Sequence, residues 1–163
     1  MAKEKNLHDA FYETLKDVYY AEKQSVKACK KSAKSAQAPE LKSAFEEHAE
    51  MSTHQVERLE QVFELIGKAP RAKTCEAMSG IVSEMEEDLE EFGGTSAGDA
   101  VLIGCAQAVE HYEIARYGML KTWAQHLGLK DAVKLLGQTL EEEKATDAKL
   151  TKVAESLNAE AAA

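Results

Sequence analysis

Glu22, Glu110, Glu113, Glu143 and Asp147 are acids placed where a helix should present apolar side chains. At 100° per residue, Glu22 points with Phe11, Leu15, Val18 and Cys29. Glu110 and Glu113 fall on the line Ile103–Ala106–Tyr117–Leu120, and Glu143 and Asp147 on the line Leu136–Leu140–Leu150–Ala154. His48 lies within roughly 50° of the centre of the apolar face that runs through Leu41, Phe45 and Leu59. Glu-x-x-Glu and Glu-x-x-x-Asp spacings put both acids on one helix face, one turn apart. Burying such acids costs several kcal/mol each unless they are protonated or compensated. No Lys or Arg shares those stripes, so the compensating charge has to come from outside the chain. An oxygen-rich donor set favours a divalent cation such as Fe or Mn over soft metals. A network of waters and Tyr hydroxyls around protonated acids is the alternative. For His48, a satisfied core histidine stands beside a ligand, and Ser52 and Gln55 are the other inward groups at the depth of Glu22. Glu50, His54 and His111 point away from the stripes.

The elements that must hold these residues are helices almost throughout. Apolar residues recur at three and four positions over about 7–36, 39–66, 74–92, 97–126 and 129–157. Pro39 suits a first helical turn, and Gly67 and Gly128 are stop signals. Ser96, just after the Gly93–Gly94 break, is placed to cap the next helix. Four helices near 30 residues would each be about 45 Å long. Very short turns join them into two hairpins, and roughly 29 residues with a short helix of their own connect the hairpins. This connectivity predicts an all-α, ferritin-like antiparallel four-helix bundle of two hairpins plus a crossover helix. Residues 1–158 form a single domain, and 159–163 are expected to be a frayed tail.

Composition narrows the function classes. Of 163 residues, 44% are hydrophobic and 30% charged, enough to build a core and too apolar for disorder. A net charge of −9 weighs against nucleic acid and anionic membranes as partners. No apolar stretch approaches the roughly 20 residues of a membrane span, and Met1–Asn6 lead into no apolar targeting segment. Three widely spaced cysteines without a Cys-x-x-Cys fit reduced thiols in the cytoplasm.

Four stretches carry a resemblance: Leu15–Gln24; Phe45-Glu46-Glu47-His48 with Gln55–Glu60; Val109-Glu110-His111-Tyr112-Glu113-Ile114-Ala115 with Tyr117-Gly118; and Thr139–Asp147. Through them the chain resembles the YciF/YciE stress-induced proteins of the ferritin-like superfamily, on the YciF side. The resemblance implies a five-helix cytoplasmic homodimer associated with general and oxidative stress, related in fold to rubrerythrin and manganese catalase. The superfamily pattern is a Glu, a Glu-x-x-His, a Glu and a second Glu-x-x-His. Glu22, Glu110 and Glu143 match it, whereas Met51/Ser52 with Gln55, and Asp147, stand where other ligands are usual. The expected metal ligands are therefore Glu22, His48, Glu110, Glu113, Glu143 and Asp147, holding one or two ions of Fe or Mn. Peroxide, O2 or ferrous ion is the expected small substrate, and a ferroxidase- or manganese-catalase-like oxidoreductase the expected enzyme if there is turnover. The alternative is a non-enzymatic dimeric stress protein with metal-free inner carboxylates and a partner surface. A storage cage ranks last.

Overall fold

The computed structural model describes residues 4–163. Met1–Lys3, part of the segment read as lacking a targeting signal, lie outside the described residues. Five helices follow in order: α1 Leu7–Ser35, α2 Pro39–Leu65, α3 Glu76–Phe92, α4 Gly98–His126 and α5 Lys130–Ala161. Among the described residues there is no strand, and no helix is long and apolar enough to cross a membrane.

Local chemistry explains the boundaries. Asn6 and Asp9 form a reciprocal cap on α1: Asp9 N donates to the Asn6 side chain (3.2 Å) and Asn6 N donates to the Asp9 carboxylate (3.0 Å). Pro39 opens α2, where its missing N–H costs nothing. Gly67 and Gly128 end α2 and α4 at φ of 68° and 73°, a left-handed turn that other residues rarely adopt. Ser96 does not cap α4. Thr95 organises that turn instead, its Oγ1 accepting from Ala97 N at 3.2 Å and donating to Phe92 O at 2.7 Å. The helical run of α5 also passes through the expected tail to Ala161, because Ala159, Glu160 and Ala161 are strong helix formers with no breaker among them.

The hairpins α1–α2 and α4–α5 are the most closely packed pairs, and α3 lies across α4 and α1. Asp99 ties the hairpins together at one end. Its carboxylate accepts from Gln37 N (2.9 Å) and Ala38 N (2.7 Å) in the α1–α2 turn.

The core is layered along the bundle axis. Phe11, Leu15, Leu59, Phe63, Leu120 and Leu136 fill the end near Gly67 and Gly128. Leu41, Phe45, Leu102, Ile103 and Leu150 fill the end near the α1–α2 turn. Between these apolar layers, each of the four long helices contributes buried polar residues: Glu22, His48, Ser52, Gln55, Glu110, Glu113 and Glu143.

Candidate metal centre

Four of these side chains converge. His48 of α2, Glu110 and Glu113 of α4 and Glu143 of α5 each offer a donor atom within 4.8 Å of the others. Opposite ligands of an ion held at about 2.1 Å are about 4.2 Å apart, so the group stands close to coordinating distance. All four are buried, with Glu113 and Glu143 at 0% exposure. His48 Nε2 lies 3.1 Å from Glu110 Oε1 and 3.4 Å from Ser52 Oγ. On α1, Glu22 is fully buried and accepts a 2.5 Å hydrogen bond from the Tyr117 hydroxyl.

The layer is short of hydrogen-bond donors. Glu22 Oε1, Glu110 Oε2, Glu143 Oε2, His48 Nδ1 and both oxygens of Glu113 are buried without a partner. Burial pushes the Glu22 and Glu113 carboxyls well above the usual range. Neighbouring charge adds to this, Glu143 acting on Glu22, and Glu22 with Glu143 acting on Glu113. Glu110 is pushed up to about 12 by burial and then by the Glu143 carboxylate. Burial lowers the His48 pKa, against the pull of Glu143 and Glu142, so the imidazole is neutral and ready to ligate.

A polar brace supports the α5 side. The Gln55 amide donates to Glu143 Oε1 and also to Glu142 Oε2 (3.1 Å). Arg58 grips Glu142 through both terminal nitrogens at 2.6 and 2.7 Å, and its Nη1 reaches Thr139 Oγ1 at 3.1 Å. Glu142, next to Glu143 in the chain, is thus a partly buried anchor between α2 and α5. The spacing Gln55-x-x-Arg58, two donors on one face of α2, was the available signal.

Asp147 is not drawn into the four. It accepts from Gln107 Nε2 at 3.0 Å and pairs with the exposed His111 at 3.2 Å. A step of four residues from Glu143 turns the helix by about 40°, towards α4 and solvent. Glu22, also expected as a ligand, is outside the four as well, whereas His48, likewise expected, is among them. Side chains lean towards their helix N-terminus, so Glu110 tilts towards the bundle end where α2 begins. Glu50 and His54 lie outside the layer, with His54 exposed against Glu57. The thiols of Cys29, Cys75 and Cys105 are all free.

Residues 6–163 match the family model described as "Domain of unknown function (DUF892)". The chain belongs to the DUF892 family. It is 47% identical over 152 residues to Protein YciF of Escherichia coli (strain K12), covering 92% of this chain and 91% of that protein. The crystal structure of the E. coli stress protein YciF superposes with a TM-score of 0.90 at 44% identity, over 94% of this chain and 98% of that one. A second match is YcfI of Rhodopseudomonas palustris, titled a putative structural protein, with a TM-score of 0.88 at 39% identity over 93% and 97%. A Xanthomonas campestris protein at 21% identity shares the fold, with a TM-score of 0.74 over 94% of both chains.

Proposed function

We propose that this DUF892 member is a ferritin-like stress protein that binds Fe or Mn through carboxylates in the middle of its bundle and handles iron or peroxide. The observation that carries this reading is the row of buried, partnerless acid oxygens facing His48. In a dry interior, each unsatisfied polar group costs about 1–3 kcal/mol, and a divalent cation satisfies several at once. Glu110, Glu113, Glu143 and His48 would hold the ion, with Glu22 bordering it from α1. Three carboxylates with one imidazole nitrogen suit Mn or Fe. Either metal supplies redox and Lewis-acid chemistry. The chain's part is to keep His48 neutral, to orient Glu143 through Gln55, and to hold a proton between the Tyr117 hydroxyl and Glu22. From the family resemblance the reading takes over a cytoplasmic homodimer acting on peroxide, O2 or ferrous ion, and the net charge of −9 weighs against nucleic acid.

The raised carboxyl pKa values of Glu22, Glu110 and Glu113 also favour a second reading, a metal-free stress protein whose inner acids are simply protonated. Metal analysis separates the two. Protein purified without chelators or an affinity tag is expected to retain Fe or Mn, and Glu113→Ala and Glu143→Ala are expected to lose at least nine-tenths of it. Equal metal content in all three samples would defeat the first reading.

A further inference from the structure

A cavity of about 60 Å³ lies beside the metal-site cluster and touches all five helices. That volume holds several waters or a molecule of roughly four to six heavy atoms. Its walls are apolar, formed by residues such as Ala28, Cys29, Phe45, Val82, Met85 and Val109. At its outer edge stands the exposed Glu47–Lys149 ion pair, 2.5 Å long, between α2 and α5. Four of its lining residues are polar and deeply buried: Ser25 at 1% exposure, Ser32 at 3%, His48 at 5% and Glu110 at 2%, and the Ser32 hydroxyl already donates to Met85 Sδ at 3.5 Å. The other three each keep an atom without a partner, namely Ser25 Oγ, His48 Nδ1 and Glu110 Oε2. Because His48 uses Nε2 towards Glu110, its Nδ1 is left over for a different neighbour. An apolar pocket with a few convergent polar groups at one end is the usual form of a small-ligand site.

We propose that this cavity binds a small uncharged molecule with a short alkyl body and one hydroxyl or hydroperoxyl end, the polar end meeting Ser25 and His48. The class is the short-chain alcohol or alkyl hydroperoxide, bound as a ligand. The mainly apolar lining offers a charged ligand little solvation at the inner end, and the end group both donates and accepts, as an orphaned hydroxyl and imidazole nitrogen require. The acidic neighbours disfavour an anion. α3 supplies an apolar wall through Ile81, Val82 and Met85, which gives the crossover helix a role in selecting the ligand. The inference rests on the metal reading for the identity of the substrate, whereas binding in the cavity does not need an ion.

The test is a titration of the full chain, freed of metal by chelation, with 1-butanol, read by NMR of ¹³C-labelled methionine methyls. Met51 and Met85 line the cavity, and Met78 is buried elsewhere. The expected result is saturable shifts at Met51 and Met85 with a Kd of about 1–10 mM and none at Met78. tert-Butyl hydroperoxide is expected to give the same shifts. Ser25→Ala should weaken butanol binding about threefold to tenfold, and Ala28→Leu, which fills the cavity, by tenfold or more. If Ala28→Leu does not fold, Ala106→Leu on the opposite wall serves the same purpose. No saturation below 100 mM, equal shifts at Met78, or tighter binding of butyrate or butylammonium would each overturn the proposal. Glu113→Ala keeps the two readings apart: it lies off the cavity lining, so it should lose metal while still binding butanol.

Discussion

Replacing Glu113 by Met should stabilise the metal-free protein and destabilise the metal-loaded one. Glu113 is fully buried, and neither of its oxygens has a partner. Two unsatisfied atoms at about 1–3 kcal/mol each place the strain at roughly 2–6 kcal/mol. Met has a similar volume and comparable helix propensity, so most of the wall contacts survive. A gain of about 2 kcal/mol is a conservative expectation. For a domain of this size it raises Tm by about 4–8 °C. With Mn²⁺ at a hundredfold excess over its Kd, the wild type gains about 2.7 kcal/mol. The variant, one carboxylate short, gains little, so the order of stabilities reverses. Calorimetric melts of both proteins, chelated and with Mn²⁺, read this directly. A chelated variant melting several degrees below the chelated wild type, with equal Mn²⁺ shifts in both, would refute the argument that the acid is there for an ion.

Other outcomes depend on the same layer. In the metal-free fold, Glu22, Glu110 and Glu113 have carboxyl pKa values raised above those of the unfolded chain. Their stabilising contribution is therefore full below about pH 4.5 and is lost as pH rises, by about 1.4 kcal/mol per pH unit for each proton held. Urea melts of chelated protein should show falling stability from pH 5 to 8. Metal binding at pH 7 should release at least two protons per ion, measured by calorimetry in buffers of different ionisation heat, and none from neutral His48. Gln55→Leu removes the donor to Glu143 and the link to Glu142, and should cost about 2 kcal/mol in urea melts. Asp99→Ala orphans Gln37 N and Ala38 N and should cost about 2 kcal/mol without changing metal content.

The inward acids were legible in the sequence because a helix repeats its face. Glu22, Glu110, Glu113 and Glu143 share phase with apolar neighbours, and counting from the turns at Gln37–Ala38 and Gly128 set their depth. Caps were less legible. Ser96 and Thr95 are equally good candidates by type, and only the path of the chain after Gly94 decides between them. The Gln55-x-x-Arg58 spacing marks two donors on one face of α2, but an arginine beside an acidic edge reads as a surface pair until two helices fix the distance.

Residue order alone determined the five helices, the two hairpins and the polar layer, since periodicity, glycine stops and connection lengths are properties of the chain itself. Which acid meets which partner was decided by packing. Asp147 turned towards His111 and Gln107 while His48 met Glu110. The cavity at Ser25 likewise exists only once α3 lies across the bundle. Such contacts depend on helix rotation of a few tens of degrees and on the lean of each side chain, and those are settled only when neighbouring surfaces interlock.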